Sequence, residues 1–230
     1  MKQKEIIVIS LGGSLIVPQQ IDIRFLKDFK SFIEAQTRAL NARFFIIAGG
    51  GRTARLYRDA AAAVAKLTPD DLDWLGIHST RLNGHLLRTI FRQVAHPRII
   101  TDPLRDPLPR SHDVVIAAGW RPGWSTDFVA TKLAERVGAR RLLNLSNIHV
   151  VHDRDPKQYK KTKRFSRMTW SQFRALVGSR WDPGMNTPFD PVASRLAQRL
   201  GLEVIIMYGK DFENVQRWLV ENRGKGTVIV

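Results

Sequence analysis

Three glycine-containing turns, each placed directly after a short apolar run, constrain the fold of this chain more than any other feature of its sequence. They read LGGS from Leu11, AGGG from Ala48 and AGWRPGWSTD from Ala118 to Asp127. A strand that ends in such a turn and passes straight into a helix presents backbone N–H groups and the positive end of the helix dipole to an anion. Three such turns predict an α/β protein in which two phosphorylated ligands meet.

Strand-like and helix-like patterns alternate along the rest of the chain. Short buried strands are expected at residues 6–10, 44–48, 98–101, 114–118, 142–145 and 204–207, with a closing strand in the tail GKGTVIV. Helices are expected at residues 23–40, 53–64, 69–94, 127–137, 170–177, 191–200 and 214–221, and the longest irregular stretches at 102–112, 152–166 and 178–189. This alternation predicts a three-layer αβα sandwich around a mainly parallel sheet.

The composition suits one domain, 1–230, because 43% of the 230 residues are hydrophobic and can form a substantial core. The chain has no cysteine, which excludes disulfides, thiolate metal ligands and a cysteine nucleophile. Its first apolar run is too short for a signal segment, and no apolar run is long enough to span a bilayer. We therefore expect a cytoplasmic protein that does not enter a membrane.

The formal net charge of +16 attracts phosphate-rich partners, including nucleic acid. The basic residues are spread through the expected helices, apart from one dense cluster made of Lys157, Lys160, Lys161, Lys163 and Arg164. No aromatic-interleaved stripe accompanies this cluster, so a solvated basic surface is favoured over specific nucleic-acid binding.

Two common nucleotide-binding motifs do not explain the glycine turns. The chain contains no GxxxxGK[ST] sequence, which excludes a Walker-type site. GGGRTA, from Gly49 to Ala54, satisfies the G-x-G-x-x-A dinucleotide fingerprint. A dinucleotide site also needs a second strand with a ribose-binding acid about 20 residues further on, where this chain reads TPDDLDWLG, the opening of a helix. Dinucleotide binding is therefore the less favoured interpretation.

Five motifs, taken in order, carry a resemblance over essentially the whole chain. They are GGS, then GGG with Arg55 four residues on, DWLGIHSTRLN at 73–83, GWRPGWSTD at 119–127 and SNIHVVHDRDP at 146–156. In this order, and at these points of the strand–helix alternation, they resemble the archaeal-type uridylate kinases of the amino acid kinase family.

The resemblance implies an amino acid kinase-like fold, with an acceptor-binding lobe at about 1–138 and an ATP-binding lobe at about 139–230. It implies an enzyme that transfers the γ-phosphoryl group of ATP in line to UMP, with Mg²⁺ as cofactor and with charge stabilisation from glycine loops and arginine. It also implies a homo-oligomer, and hexamers are common in the family. No side chain is assigned as a metal ligand.

The resemblance also implies site residues, position by position. The ATP side comprises Ser10, Leu11, Gly12, Gly13, Ser14, Gly51, Arg55, Ser146, Asn147, His152 and Asp155. The acceptor side comprises Gly50, Asp73, Trp120, Arg121, Pro122, Gly123, Trp124, Ser125 and Thr126. Asp127 aligns with the family's central catalytic aspartate, and Arg55 would contact phosphate oxygens.

Each of these side chains also has a purely structural interpretation. Asp127 cannot stabilise a moving phosphoryl group directly, so we expect it to orient a lysine, a backbone N–H or a metal-bound water, unless it is an ordinary acid in a first helical turn. Arg55 could be a solvated helix residue and Asp73 a helix-start charge. The hydroxyls of Ser125 and Thr126 could serve as helix N-caps.

The chain departs from the family pattern at several positions. Ser10 stands where many members carry a phosphate-binding lysine, so Lys157 or Lys163 is expected to reach the transferred group, unless both are solvated loop charges. Trp120 and Trp124 replace polar or small residues, and they could stack on a base or ribose or simply pack the loop. His149 replaces a turn aspartate and is interpreted as a satisfied polar core residue.

Two further functions stay open on the sequence alone. One is a kinase of another small phosphate or carboxylate, such as isopentenyl phosphate, although those kinases carry a histidine shortly after the glycine loop and GGGRTARLYR has none. The other is a catalytically degenerate protein that binds nucleotides or RNA, which Ser10, His149 and the positive charge make conceivable.

Overall fold

The computed structural model describes residues 4–156, 158–180 and 187–230. In chain order, the elements within these ranges are β1 (Glu5–Leu11), α1 (Gly13–Ile16), α2 (Ile23–Ala39), β2 (Ala42–Ala48), α3 (Gly51–Val64), α4 (Pro69–Ile90), β3 (Val114–Ala117), α5 (Thr126–Val137), β4 (Arg141–Ser146), β5 (Val151–His152), β6 (Arg164–Phe165), β7 (Arg167–Met168), α6 (Trp170–Val177), α7 (Pro191–Leu200), β8 (Glu203–Tyr208), α8 (Phe212–Glu221) and β9 (Thr227–Ile229).

The main sheet is built around β1, and its strand order is β3-β2-β1-β4-β8-β9-β7. The pairs β1–β2, β2–β3, β1–β4 and β4–β8 are all parallel, whereas β9 runs antiparallel to β8. The direction in which successive strands are added reverses at β1, which lies between β2 and β4. Such a reversal leaves a crevice at the carboxyl ends of the strands, where open α/β sheets bind ligands.

Alternate residues of the sheet face two separate hydrophobic cores. Ile7, Ile9 and Leu11 of β1 pack against a core that includes α2, α4 and α8, whereas Val8 belongs to the core beneath α5, α6 and α7. Because successive side chains of a strand point to opposite faces, Ser10 points to the side of α5. The predicted three-layer αβα sandwich is confirmed.

Most predicted elements are present, with their ends shifted by a few residues. The predicted strand at 98–101 is wrong: Ile100 makes only an isolated bridge to Ala117 at the edge of the sheet. The helix predicted at 69–94 ends at Ile90, and the one predicted from residue 214 begins at Phe212, because the Asp211 side chain caps it. The hairpin of β5 and β6 lies in a stretch predicted to be irregular, since two-residue strands carry no readable periodicity.

Helix α3 differs from the other long helices in having one buried residue, Ala54. Its outer side presents Leu56, Tyr57 and Val64 to solvent, with Val64 89% exposed. No helix in the described ranges combines the length and apolar character needed to cross a membrane.

Candidate active site

A cavity of about 580 Å³ opens at the carboxyl edge of the main sheet. Its volume is in the range of pockets that hold small-molecule ligands. Residues from all three glycine turns line it, together with α3 and α4. The lining residues are Ser14, Gly50, Gly51, Ala54, Arg55, Arg58, Leu72, Asp73, Gly76, Ile77, Thr80, Gly119, Trp124, Ser125, Thr126, Asp127, Asn147, Thr187 and Asp190.

The first two glycine turns interlock along their backbones, and we call this contact the glycine seam (Gly13 against Gly49 and Gly51). A Cβ atom on Gly13 would overlap the backbone nitrogen of Gly51 and lie 2.5 Å from the carbonyl carbon of Gly49. Gly51 has φ +64°, in the left-handed region that favours glycine. The Gly49 N–H donates to the carbonyl oxygen of Leu11 at 2.9 Å. The glycines therefore let two loops share one wall of the cavity.

Asp127, in the first turn of α5, is the centre of a buried hydrogen-bond network. Its Oδ1 accepts from the Ser10 hydroxyl at 2.8 Å and from the Asn144 amide at 3.4 Å. Its Oδ2 accepts from the backbone N–H of Asp190 at 3.1 Å. The last contact joins the first turn of α5 to the residue that precedes α7.

Asp190 brings a second carboxylate to the cavity beside Asp127. Its Oδ1 caps α7 by accepting from the Ala193 N–H at 2.5 Å. Its Oδ2 is buried and accepts no hydrogen bond of normal geometry within the described ranges, although the Ser125 hydroxyl lies nearby. Burial, and secondarily the neighbouring Asp190 carboxylate, raise the pKa of Asp127 to about 7. Burial also raises the pKa of Asp190. The pair therefore favours a ligand or proton that offsets negative charge.

Two arginines of α3, Arg55 and Arg58, also line the cavity. The resemblance implied Arg55 as a phosphate contact, and Arg58 lies one helical turn further on. The Nε of Arg58 donates to the carbonyl oxygen of Ala54 at 3.2 Å, and the side chain is part of the cavity wall. Both side chains can therefore donate to phosphate, ribose or base oxygens.

Helix α4 holds the third glycine turn in place. Asp73 accepts from the Gly123 N–H at 2.7 Å, and Thr80 accepts from the Gly119 N–H at 2.8 Å. Arg81 donates to the carbonyl oxygens of Gly119 and Trp120. The predicted acceptor-side residue Asp73 thus has a structural partner in the loop that was predicted to cover the acceptor.

The two tryptophans of the third turn have different surroundings. Trp124 lines the cavity, and its ring lies 4.1 Å from the ring of Phe128. The ring of Trp120 is covered by the Arg121 guanidinium at 4.1 Å and does not line the cavity. Packing therefore accounts for Trp120, whereas Trp124 both packs and offers an aromatic surface to a ligand.

Some predicted residues lie outside the cavity wall. Ser10 and Leu11 are buried behind it, and Ser10 reaches the cavity only through Asp127. The other predicted residues that are not in the wall are Gly12, Gly13, Trp120, Arg121, Pro122, Gly123, Ser146, His152, Asp155 and Lys163. Lys163 is exposed directly before β6, with its ammonium 5.3 Å from the ring centre of Phe165. Lys157 lies outside the described residues.

The N-cap prediction for Ser125 is confirmed, because its hydroxyl accepts from the Phe128 N–H at 3.1 Å. The interpretation of His149 as a core residue is wrong: it is exposed and stacks on Tyr208 at 4.4 Å.

The sequence interpretation missed Arg58 and Asp190 as cavity residues. Asp190 precedes Pro191, which signals a helix start but carries no indication that this cap meets Asp127.

Comparisons with known proteins agree with this geometry. The chain matches the amino acid kinase family over residues 5–208. It is 33% identical to the uridylate kinase of Methanoculleus marisnigri over 225 residues, which are 97% of this chain and 94% of the relative. It is 34% identical to the uridylate kinase of Thermoplasma acidophilum over 230 residues, with 98% and 96% covered.

A solved structure extends the likeness to three dimensions. The crystal structure of uridylate kinase from Archaeoglobus fulgidus superposes with a TM-score of 0.82 at 29% identity, and the match covers 98% of this chain and all of that one. The family predicted from the five sequence motifs is confirmed. The chain belongs to the amino acid kinase family and, within it, to the archaeal-type uridylate kinases.

Proposed function

We propose that the protein is an ATP-dependent phosphotransferase that transfers the γ-phosphoryl group of ATP to UMP. The observation that carries the proposal is the cavity in which three glycine turns, two arginines and the Asp127–Asp190 pair meet. The near full-length likeness to archaeal uridylate kinases supports UMP as the acceptor.

Within this proposal, the acceptor occupies the lobe at about 1–138 and ATP the lobe at about 139–230. Gly50 and Asp73, on the acceptor side, line the same cavity as Ser14 and Asn147, on the ATP side. Arg55, assigned to the ATP side by the resemblance, lines it too, and we propose that it also contacts the acceptor phosphate. The acceptor phosphate is already anionic, so transfer needs no strong general base. Positioning and charge neutralisation are the task of the protein.

The residues of the cavity fit Mg²⁺ as the cofactor. Mg²⁺ typically binds through one or two carboxylates, waters and substrate phosphates, and no cluster of three or more side-chain ligands is present among the described residues. Asp127 and Asp190 would hold the ion, since the buried Oδ2 of Asp190 lacks a well-formed hydrogen bond. When bound, the ion would offset charge on the transferred group.

A coupled ADP-release assay over a panel of nucleoside monophosphates and small phosphates tests this function. We expect turnover that depends on UMP and requires Mg²⁺. Turnover with another small phosphate in place of UMP would show that the protein has a different activity within the family. Salt-sensitive RNA binding with no turnover on any member of the panel would instead support a degenerate binding protein.

Replacing Arg55 with alanine is expected to raise KM for UMP by about 10- to 100-fold, since a charge-assisted contact to phosphate is lost. Steady-state kinetics with UMP as the varied substrate measures this. Arg24→Ala, on the exposed side of α2, removes the same charge away from the cavity wall and should leave KM for UMP unchanged. Equal effects of the two substitutions would contradict the phosphate contact.

We propose that the Lys163 side chain contacts the transferred phosphoryl group. An Lys163→Ala enzyme is then expected to lose about 10-fold in kcat with KM for UMP unchanged. Lys161, exposed in the same basic cluster, provides the matched substitution. An unchanged kcat for Lys163→Ala would leave this side chain as a solvated loop charge.

We further propose that the protein forms a homo-oligomer through the outer side of α3. Leu56, Tyr57 and Val64 present exposed apolar surface there, which a second copy would cover. A net charge of +16 per chain opposes assembly unless anions bind. Light scattering across a salt series tests this, and a monomer at high salt would count against it.

A further inference from the structure

Asn83 lies behind the second glycine turn, on the side of α4 that faces it. Its Nδ2 donates to the carbonyl oxygen of Gly49 at 2.8 Å and to that of Gly50 at 3.1 Å. The side chain is 3% exposed and is not part of the cavity wall. One buried amide thus binds two successive peptide carbonyls of the loop.

The geometry of the peptide bond makes this contact informative. In a trans peptide unit the C=O and N–H bonds point in opposite directions in one plane. The C=O of Gly49 shares its peptide unit with the N–H of Gly50, and the C=O of Gly50 shares its unit with the N–H of Gly51. Holding both carbonyls against Asn83 therefore turns both N–H groups away from α4.

Those two N–H groups are available to a ligand. Gly50 and Gly51 line the cavity, and neither N–H has a protein acceptor within residues 4–156, 158–180 and 187–230. Glycine peptide units rotate more freely than others because no Cβ restricts φ and ψ. The glycine seam holds the far side of the loop through backbone packing, and Asn83 supplies the side-chain hydrogen bonds on the near side, where the Gly50 carbonyl oxygen also accepts from the Ala54 N–H at 3.4 Å.

We propose that Asn83 is a positioning residue: its amide fixes two consecutive peptide units so that the N–H groups of Gly50 and Gly51 point together into the cavity, where the acceptor phosphate meets the phosphates of ATP. This inference rests on the proposed function, because it takes a phosphorylated acceptor as the ligand. Asn83 does not touch that ligand, and its effect passes through the two glycines.

The test compares the binding of UMP with the binding of uridine, which has the same nucleoside without the phosphate. Calorimetry for UMP and an NMR shift titration for uridine give the two dissociation constants. Wild-type protein is expected to bind UMP on the order of 100-fold more tightly, as charge-assisted contacts to phosphate would provide. In Asn83→Leu, which has the same number and branching of side-chain heavy atoms but no donors, this ratio should fall at least about tenfold, while uridine binding changes little.

Two further variants separate positioning from general stability. Asn83→Ser keeps one hydroxyl donor and should lower the ratio by a smaller factor, about threefold; it carries the test if Asn83→Leu does not fold. Asn214→Leu is the matched control, because Asn214 is 2% exposed, donates to the Lys225 carbonyl oxygen at 2.8 Å and lies outside the cavity. It should lower the melting temperature without changing the ratio.

The inference is overturned by an unchanged ratio in a folded Asn83 variant, or by an equal fall in Asn214→Leu. Its failure is distinct from failure of the proposed function. Wild-type protein without UMP-dependent turnover contradicts the function, whereas active wild-type protein with an unchanged ratio in the Asn83 variants contradicts only the role of Asn83.

Discussion

An Asp127→Asn enzyme is expected to lose about a thousandfold in kcat, which corresponds to about 4 kcal/mol of activation free energy. The carboxylate accepts hydrogen bonds from Ser10, Asn144 and the backbone N–H of Asp190. An amide offers one acceptor oxygen and places an N–H group against a donor, so the network cannot re-form. The negative charge beside the transferred group is also lost.

The stability of the same variant relative to the wild type is expected to rise as the pH increases from 5 to 8, in the absence of nucleotide and Mg²⁺. Burial and the Asp190 carboxylate raise the pKa of Asp127 from 3.8 to about 7 in the folded protein. Between these values the folded state keeps a proton that the unfolded state releases, so stability falls as pH rises and the loss is complete above the folded pKa. Asparagine carries no charge and avoids this cost.

Thermal unfolding at pH 5 and pH 8 measures the difference between wild type and variant. The free energy of unfolding of Asp127→Asn relative to that of the wild type should rise between these pH values by a few kcal/mol, since each unit of pKa shift corresponds to about 1.4 kcal/mol. Asp28→Asn removes a carboxylate from the exposed side of α2 and should show neither effect. Near-normal kcat in Asp127→Asn, or a pH-independent stability difference, would contradict the role assigned to the pair.

A Gly13→Ala substitution is expected to destabilise the protein by several kcal/mol and to remove turnover. The added Cβ would overlap the Gly51 nitrogen and approach the Gly49 carbonyl carbon to 2.5 Å. These atoms belong to the backbone of the neighbouring turn and cannot move aside as a side chain can, so both loops must separate. Denaturant unfolding and the ADP-release assay measure the two consequences.

Gly76→Ala provides the matched stability control. Gly76 lies within α4, and a Cβ added there meets nothing within 4 Å. Because alanine favours the helix over glycine, this variant should gain about 0.5–1 kcal/mol in the free energy of unfolding. If the Gly13→Ala protein is as stable as the wild type, the two turns of the glycine seam can separate without loss of stability, which contradicts this prediction.

The sequence was informative where the chemistry is local. Each glycine turn follows its strand and precedes its helix within a few residues, so the residue pattern alone is enough to place the turns at Leu11, Ala48 and Ala118 at one sheet edge. Asp127 was found for the same reason, since it ends the third turn. The order of the five motifs then indicated the family, and the family implied the roles of the residues in them.

The contacts that sequence reasoning missed join distant segments. Asp190 is 63 residues from Asp127, and Asn83 is 34 residues from Gly49. A helix cap or a polar residue in a helix carries no local sign of such a partner. The strand predicted at 98–101 failed for a different reason: an apolar run beside a proline forms a single bridge at an edge as readily as a regular strand.

The position of β1 determines how the chain can be divided. It pairs with β2 on one side and, through Val8, Ile9, Ser10 and Leu11, with β4 on the other. A fragment that ends near residue 138 would keep β1 but lose β4, which would expose a central strand as an unpaired edge. Such edges promote aggregation. The two proposed lobes therefore depend on each other for folding, and neither half of the chain should be recoverable as an independent, folded domain.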